Sequence, residues 1–311
     1  MIDASALEDH RRELHVHCYR MLGSLDDAED LVQETFLRAW RARTSFGADG
    51  RTELRAWLYR IATNACLDAL RRRPARVLPP DVAGPVDPTA PIPEPVDLPW
   101  LQPYPTLADE VVARETIELA FIAAIQHLPG TQRAVLLLRD VLGWSARDAA
   151  ELLEVTVAAI NSALQRARAT LRDRLGDRTE WARSRARSAE ERDLLRRYVE
   201  AHERADGAAL AALLREDARL TMPPHAVWFA GREAILTAMR PAYEPSFGDL
   251  RTVPTEANGQ PAAAQYLRAP GSSAFRPLAL DVLVVEDGVV IEITSFVSPE
   301  LFPAFDLPPE L

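Results

Sequence analysis

The sequence contains no lysine, only two cysteines and no long apolar run. All 36 basic residues of the 311-residue chain are therefore arginine. Cys18 and Cys66 lack the spacing of a metal site and are expected to be buried thiols in a reducing compartment. No run of about 18 apolar residues could span a membrane, and the N-terminal residues are acidic where a signal peptide would be basic and then apolar. These absences predict a cytoplasmic protein without a membrane partner.

The net charge of −10 is unevenly distributed along the chain. Residues 126–188 hold 11 arginines against 7 acidic residues, and residues 1–76 hold 13 against 12. The remainder is acidic, with 1 arginine against 8 acidic residues in 77–125 and 11 against 19 in 189–311. Because a DNA-binding protein needs positive charge only at its contact surface, the acidic balance does not exclude nucleic acid.

Two spacers divide the chain. Between Pro74 and Pro105 lie 11 of the 24 prolines together with several acidic residues, which predicts an extended, semi-rigid linker with neither helix nor sheet. The segment 178–191 is highly charged and almost free of large apolar residues. The predicted organisation is a helical domain at 8–76, an acidic linker at 77–110, a second helical domain at 111–176, a charged linker at 177–190 and a last domain at 191–311.

The last domain combines helical and strand patterns. LALDVLVV (278–285) and VVIEITSFV (289–297) flank the turn EDG, which predicts a β-hairpin. Two helical segments precede it, near 190–205 and 208–214, and another follows Gly231. An α+β domain is therefore expected after two all-α domains.

The segment 26–43 has the periodicity of an amphipathic helix. Its apolar side chains gather on one face, and Leu37 stands in the middle of the opposite, charged face. A leucine ringed by charges is typical of a protein–protein anchor, although single exposed leucines are also common. The candidate partner-binding face comprises Asp27, Asp30, Gln33, Glu34, Leu37, Arg38 and Arg41.

A second helix, predicted from about 53 to 73, ends in three arginines before Pro74. Arginines bind phosphates, and an aromatic ring beside an amide can stack on an unpaired base, which the loop 44–53 is flexible enough to cover. The alternative is that the arginines only complement the helix C-terminal dipole. The expected buried stripe is Leu54, Leu58, Ile61 and Ala65, and the opposite face carries Arg60, Thr63, Asn64 and Arg71, with Trp57 at its border.

The most specific pattern is a helix-turn-helix at 145–171. Ser145 with Asp148 makes a capping-box-like start, Glu154–Thr156 forms a short turn, and Thr156 caps the second helix. Small residues let a helix enter the major groove, where amide and arginine side chains contact base edges or phosphates, so a DNA-reading helix is favoured over simple packing. The second helix directs Val157, Ile160, Leu164, Ala167 and Leu171 to the core, and Ala158, Asn161, Ser162, Gln165, Arg166, Arg168 and Ala169 away from it.

Three stretches resemble extracytoplasmic-function (ECF) sigma factors: DAEDLVQETFLRAWR (27–41), LRAWLYRIATNACLDALRRRPAR (54–76) and LPGTQRAVLLLRDVLGWSARDAAELLEVTVAAINSALQRAR (128–168). The first is similar to the region 2.2 helix, which docks on the clamp of the RNA polymerase β′ subunit. The second is similar to regions 2.3–2.4, which melt and hold the −10 promoter element. The third is similar to the region 4 helix-turn-helix, which reads the −35 element.

The resemblance implies a transcription initiation factor that has no catalytic residue, metal or cofactor of its own. Its expected partners are core RNA polymerase, through the β′ clamp and the β subunit, promoter DNA and, where one exists, an anti-sigma factor. The residues expected to hold the −10 strand are Arg55, Trp57, Arg60, Thr63, Asn64, Arg71, Arg72 and Arg73. Those expected to contact the −35 duplex are Ser145, Thr156, Ala158, Asn161, Ser162, Gln165, Arg166 and Arg168.

The linker and the last domain are similar to one actinobacterial subgroup of these factors, through DLPWLQPYP (97–105), WFAGREAI (228–235), ANGQPAAAQYLRA (257–269) and LFPAFDLPPEL (301–311). That subgroup carries a fused SnoaL-like domain with the NTF2-like cone fold, which is expected to regulate the sigma regions in cis. No matched motif supports a catalytic residue, and Asp281 could point inward or face solvent. A ligand pocket would be lined by Met222, His225, Trp228, Tyr243, Asp281 and Phe296.

Two other functions stay open on the sequence alone. A stand-alone helix-turn-helix regulator would leave Leu37 and the arginine-rich helix unexplained, and a SnoaL-type isomerase or cyclase with a DNA-binding appendage would leave the whole first half unexplained. His15, His17 and Cys18 do not share one helix face as an i, i+4 pair of ligands would, so no metal site is expected there.

Overall fold

The computed structural model describes residues 4–44, 46, 53–106, 118–175 and 189–311. The chain forms two compact units, the N-terminal unit (residues 1–76 and 107–184) and the C-terminal unit (residues 77–106 and 185–311). The predicted base-covering loop at 44–53 and the charged linker at 177–190 lie almost entirely outside the described residues. Within the described ranges no helix is long and apolar enough to cross a membrane.

The N-terminal unit begins with a helical bundle made of α1 (Ala4–Glu8), α2 (Arg11–Leu22), α3 (Leu25–Arg41) and α4 (Leu54–Leu70). Gly23 has a φ of 70°, a left-handed conformation that ends α2. The Ser24 side chain then accepts a hydrogen bond from the Asp27 amide and begins α3. Two adjacent residues therefore fix the corner between α2 and α3.

A second helical group completes the N-terminal unit. It contains α5 (Leu119–Gln126), α6 (Gly130–Leu136), a π-helical turn (Leu137–Val141), α7 (Ala146–Leu153) and α8 (Val157–Leu175). Glu154 adopts a left-handed φ of 56° after α7, which makes the predicted turn between α7 and α8.

A buried arginine joins the two helical groups. Arg133 of α6 is 2% exposed, and its guanidinium donates to the main-chain carbonyls of Met21, Gln126 and Leu128. Burial lowers the pKa of Arg133 to about 10. Because several carbonyls and the Gln126 side-chain oxygen accept from this one group, the charge is hydrogen-bonded despite its burial.

The C-terminal unit is an α+β domain with one mixed sheet. Its strand order is β2-β1-β6-β5-β4-β3, in which only the β1–β6 pair is parallel. The helices are α9 (Ala189–Glu203), α10 (Gly207–Leu213) and α11 (Arg232–Met239), with 3-10 turns at Arg240–Tyr243 and Pro299–Phe305. The strands are β1 (Leu214–Thr221), β2 (Trp228–Ala230), β3 (Asp249–Ala257), β4 (Gln260–Arg268), β5 (Arg276–Glu286) and β6 (Val289–Phe296).

The predicted hairpin is β5–β6. Glu286 pairs with Val289 across the turn, where Asp287 and Gly288 both have positive φ values of 49° and 77°. Two consecutive residues with positive φ form a turn whose twist matches the right-handed twist of the two flanking strands. Asp-Gly is favoured in such a turn. The hairpin and the α+β character expected from the sequence are confirmed.

The Pro-rich segment differs from the expectation in one respect. Pro79–Val82 forms a single helical turn, in which the Asp81 carboxylate accepts a hydrogen bond from the Leu78 amide. Proline at the first position of a helix costs no hydrogen bond, because an N–H group at that position has no partner within the helix. The rest of segment 77–106 contains no further helix; the Ala90 amide closes a turn on the Asp87 carbonyl at 3.1 Å, and a parallel bridge joins Val77 to Trp100.

Candidate nucleic-acid interface

The outward face of α3 carries two exposed apolar side chains one turn apart. Leu37 is 51% exposed, as predicted, and Trp40 is 44% exposed. The Arg43 guanidinium lies 4.3 Å from the centre of the Trp40 ring. Sequence reasoning did not include Trp40 or Arg43, although a large aromatic residue three positions after an exposed leucine marks the same helix face. Together they give α3 an apolar centre within a charged surface.

The rest of the predicted α3 face divides into exposed and engaged side chains. Asp30, Gln33 and Arg41 are exposed. Glu34 and Arg38 form an ion pair at 2.7 Å. Asp27 requires a correction, because it is largely buried and its carboxylate binds both Arg73 and Arg76. It therefore stabilises the bundle and is not available to a partner.

The arginines predicted to hold a single strand are mostly paired with carboxylates of the same unit. Arg60 binds Glu154 at 2.5 Å, and Arg71 binds Asp68 at 2.6 Å. Arg72 is exposed and forms no ion pair with another described residue. These pairs are at least one-third exposed, so each contributes little to stability and phosphates can replace the carboxylates.

The other residues predicted on the outward face of α4 are exposed or half-buried, apart from one. Asn64 is exposed, and half-buried Trp57 packs its ring 5.0 Å from that of Phe46. Arg55 binds Glu13 at 2.7 Å and lies over the Tyr59 ring. Surface side chains of α4 thus combine an aromatic edge, an amide and several guanidinium groups.

Thr63 is the exception and corrects the prediction. It is fully buried, and its hydroxyl lies 2.9 Å from Nε2 of His17. The buried surface of α4 is wider than the predicted stripe, because four helices pack against α4: α2, α3, α6 and α7. Burial lowers the pKa of His17 to about 3, so this histidine is neutral and contacts Thr63 as a core residue.

Helix α8 presents its predicted reading face to solvent. The hydroxyl groups of Ser145 and Thr156 accept hydrogen bonds from the amides of Asp148 and Ala159 at 3.1 Å, and so begin α7 and α8. All of the outward side chains named from the sequence for DNA contact on α8 are exposed: Ala158, Asn161, Ser162, Gln165, Arg166 and Arg168.

Two details of α8 differ from the prediction. Val157, expected in the core, is the first residue of α8 and is 43% exposed, whereas Ala163 is buried. Arg168 forms two hydrogen bonds, at 2.6 and 2.8 Å, with the Asp140 carboxylate. Its guanidinium therefore positions α8 against the π-helical turn as well as facing solvent.

The C-terminal sheet places Asp281 inside the domain. This carboxylate is 2% exposed, and its Oδ2 accepts a hydrogen bond from the Tyr198 hydroxyl at 2.8 Å and another from Gln265. Asp281 pairs with Ser295 on β6, whereas the neighbouring pair is Leu280 with Phe296. Because successive residues of a strand point to opposite faces, Phe296 and Asp281 lie on opposite sides of the sheet, which corrects the predicted pocket.

His225 and Trp228 require the same correction. The His225 Nδ1 lies 2.7 Å from the Pro93 carbonyl, and the Trp228 indole donates to the Ala83 carbonyl at 2.8 Å. Both residues therefore bind the Pro-rich segment and do not line a site with Asp281. Met222 and Tyr243 pack against the apolar core of the domain.

The Pro-rich segment is hydrogen-bonded along much of its length to the α+β domain of its own unit. The Val86 and Val96 amides donate to the carbonyls of Trp228 and Pro224 at 3.0 Å. Tyr104 and Asn258 exchange two hydrogen bonds of 2.7 and 2.8 Å. These contacts, with those to His225 and Trp228, define what is called here the docked linker, residues 83–106.

Comparison with known families matches this arrangement. Three family models match the chain: Sigma-70 region 2 at residues 6–76, Sigma-70 region 4 at residues 118–171 and a SnoaL-like domain at residues 195–293. The two helical groups and the sheet domain thus define a chain that carries both sigma regions ahead of a SnoaL-like domain.

Individual relatives give the family. The chain is 45% identical to the ECF RNA polymerase sigma factor SigG of Mycobacterium tuberculosis, over 98% of this chain and 83% of the relative. It is 31% identical to SigW of Bacillus subtilis, over 56% of this chain and 89% of the relative. The crystal structure of M. tuberculosis SigJ shares its fold, with a TM-score of 0.64 at 20% identity over 98% and 100% of the two chains.

The chain belongs to the family of ECF RNA polymerase sigma factors. The predicted resemblance, the fold class and the role in transcription initiation with core polymerase and promoter DNA are confirmed by these matches. The stand-alone regulator and the isomerase with a DNA-binding appendage are set aside, because neither accounts for region 2.

Proposed function

We propose that this sigma factor binds core polymerase through α3, holds the −10 strand on α4 and reads the −35 duplex with α8, while its SnoaL-like domain controls initiation in cis through the docked linker. The single observation that supports the regulatory part is the set of hydrogen bonds between residues 83–106 and the SnoaL-like domain.

The exposed centre of α3 supports the polymerase contact. Leu37 and Trp40 offer two apolar side chains that a partner would bury, and aromatic and leucine anchors surrounded by charges are suited to such a contact. Arg41 and Asp30 remain exposed beside them as a polar rim.

The surface of α4 supports strand holding. Asn64 and Arg72 are exposed, and Trp57 offers an aromatic edge. A melted strand brings phosphates that can displace the weak surface pairs of Arg60 and Arg71, and stacking contributes about 1–3 kcal/mol per base.

The docked linker supports regulation in cis. While its amides and carbonyls are bonded to Trp228, Pro224 and Asn258, the same groups are not available to the polymerase. Initiation then requires either that these bonds open or that the polymerase accepts the linker with the domain attached. In this proposal the SnoaL-like domain acts by binding and performs no catalysis, and an anti-sigma factor is a further candidate partner.

The test is promoter-dependent transcription with purified core polymerase. We expect the full chain to initiate, and we expect Leu37→Asp to abolish initiation because a charge at the apolar centre prevents docking. Leu311→Asp is the matched control, since Leu311 is similarly exposed in the C-terminal unit. Tight promoter binding by the protein alone, with no dependence on core, would contradict the proposed polymerase contact.

The regulatory part is tested by variants of the docked linker. Trp228→Phe removes the indole bond to the Ala83 carbonyl, and Asn258→Ala removes the side-chain bond to Tyr104. Both should change the amount of transcript in the same direction as a truncation after residue 187. Equal transcript from all four proteins would contradict control in cis and leave the polymerase contact untouched.

A further inference from the structure

Two exposed valines stand at the beginning of α8. Val155 is 40% exposed and Val157 is 43% exposed, and they flank Thr156, whose hydroxyl accepts a hydrogen bond from the Ala159 amide. The other exposed large apolar side chains of the described residues lie elsewhere: Leu37, Trp40, Val82, Ile92, Val96 and Leu311. In a helix-turn-helix, the N-terminal residues of the second helix contact base edges in the major groove. The two valines therefore stand where bases are read.

The backbone around both valines is held in place by hydrogen bonds. The Val155 amide donates to the Ala150 carbonyl at 3.0 Å, and the Ile160 amide donates to the Thr156 carbonyl at 3.1 Å. Val157 is the first residue of α8, and a valine in a helix has one strongly preferred χ1 rotamer. Its two methyl groups therefore point in a defined direction, and a partner that covers them removes little side-chain entropy.

The neighbour of Val157 on the helix surface is an amide. Asn161 lies one turn further along the same side of α8 and is exposed. Because side chains of a helix lean toward its N-terminus, the Asn161 amide and the Val157 methyl groups cover adjacent parts of the surface. Asparagine binds adenine through two hydrogen bonds, and an apolar side chain recognises thymine by its C5 methyl group. Both residue types are therefore suited to A·T pairs.

A thymine methyl group matches these valines in size better than a protein surface does. A stable protein–protein contact buries about 800 Å² on each partner. The other exposed residues beside the valines are Glu154, Thr156, Ala158 and Ala159, which add no large apolar side chain. Two isolated valines suffice to cover one methyl group, and the small side chains around them let the groove come close.

We propose that Val157 contacts the C5 methyl group of a thymine in the −35 element and thereby determines specificity for an A·T pair at that position. This inference rests on the proposed function, since it requires that α8 reads the −35 duplex. It adds to the reading face a residue that the sequence pattern assigned to the core and that the structure exposes.

The experiment compares thymine with deoxyuridine, which lacks only the C5 methyl group. A promoter is first selected with the full chain and core polymerase from DNA that is randomised at the −35 positions. Each thymine of the selected element, on either strand, is then replaced in turn by deoxyuridine, and binding of the promoter by the holoenzyme is measured. At one position we expect deoxyuridine to weaken the complex about fourfold, as the loss of one buried methyl group would.

Variants assign this effect to a side chain. Val157→Ala should bind the thymine promoter about fourfold more weakly and should no longer distinguish thymine from deoxyuridine at that position. Val157→Ile keeps the apolar contact and should keep the distinction. Val82→Ala is the matched control, because Val82 is also 43% exposed but lies in the Pro-rich segment, and it should distinguish the two bases as the unchanged protein does. The melting temperature of Val157→Ala should stay within about 3 °C of the unchanged protein.

Three results would overturn the proposal. One is equal binding of thymine and deoxyuridine at every −35 position. Another is a loss on deoxyuridine substitution that is the same in Val157→Ala, since a different residue would then contact the methyl group. The third is a selected −35 element without an A·T pair. A selection that returns no preferred −35 sequence would instead contradict the reading of the −35 duplex by α8 and, with it, this contact.

Discussion

The two helices expected to contact DNA differ in how their side chains are engaged. On α8 the outward residues from Ala158 to Arg166 are exposed, and only Arg168 is held by a carboxylate. On α4 the guanidinium groups of Arg55, Arg60 and Arg71 are all paired within the unit. A duplex can therefore meet α8 as it stands, whereas a strand on α4 must first exchange carboxylates for phosphates.

The largest expected effect concerns two neighbours on α4. Thr63→Arg should lower the free energy of unfolding by about 3–5 kcal/mol, because an unpaired charge would enter the core beside His17. Asn64→Arg, one position on, should change it by less than about 0.5 kcal/mol, since Asn64 is exposed. Denaturant unfolding of the two variants makes the comparison, and equal stabilities would mean that Thr63 belongs to the surface after all.

A second prediction concerns the same buried contact and acid. The pKa of His17 is lowered to about 3, so protonation of His17 favours the unfolded state, where its pKa is near 6.5. The contribution of neutral His17 to stability is complete above about pH 6.5 and decreases as the pH is lowered. At pH 4.5 it has decreased by about 2–3 kcal/mol.

The control for this acid effect is His17→Gln. Glutamine does not titrate and can still contact the Thr63 hydroxyl. The difference in unfolding free energy between pH 7 and pH 4.5 should therefore be smaller in His17→Gln than in the unchanged protein. Parallel pH profiles would show that His17 is not the titrating group.

The third prediction sharpens the contrast on the α8 side. Gln165→Ala and Arg166→Ala should each weaken promoter complexes by about tenfold or more, since a base or phosphate contact is worth about 1–3 kcal/mol. The stability of the free protein should not change, because both side chains are exposed. Arg276→Ala, an exposed arginine of the C-terminal unit, serves as the control in the same transcription assay.

The smallest effect is expected from freeing an α4 arginine. Asp68→Asn removes the partner of Arg71, and a longer contact of 3.6 Å to Arg38, at a cost below about 1 kcal/mol, because these pairs are exposed. The freed guanidinium should strengthen binding of the melted promoter strand about two- to threefold. The plot of the logarithm of the binding constant against the logarithm of the salt concentration should also become steeper. The slope should change by up to about one unit, which corresponds to one phosphate contact. An unchanged salt slope would mean that Arg71 does not face the strand.

The sequence predicts the exposed face of a helix best where other elements cover that helix on one side only. The outward face of α8 was predicted well because the helix is covered on one side, so a single apolar stripe describes it. Helix α4 is covered on several sides, and Thr63 was misplaced for that reason. Trp40 was missed because periodicity alone does not say which aromatic residue at the edge of a stripe stays in solvent.

Contacts between distant segments were beyond sequence reasoning. Composition predicts that the Pro-rich linker is extended, but not that its carbonyls receive the side chains of His225 and Trp228. The same holds for Phe296, which register places on the opposite side of the sheet from Asp281. Such pairings depend on which strands become neighbours, and no local pattern encodes that choice.

The docked linker also has a consequence for how the protein is made. Tyr104 and Asn258, which exchange two hydrogen bonds, are 154 positions apart in the chain. At about 5–20 residues per second, a ribosome needs about 8–30 seconds to add the second after the first. Both sigma regions are complete within that interval, while the linker still lacks its partner strands. Every newly made copy therefore passes through a period in which its sigma regions exist before the linker has docked.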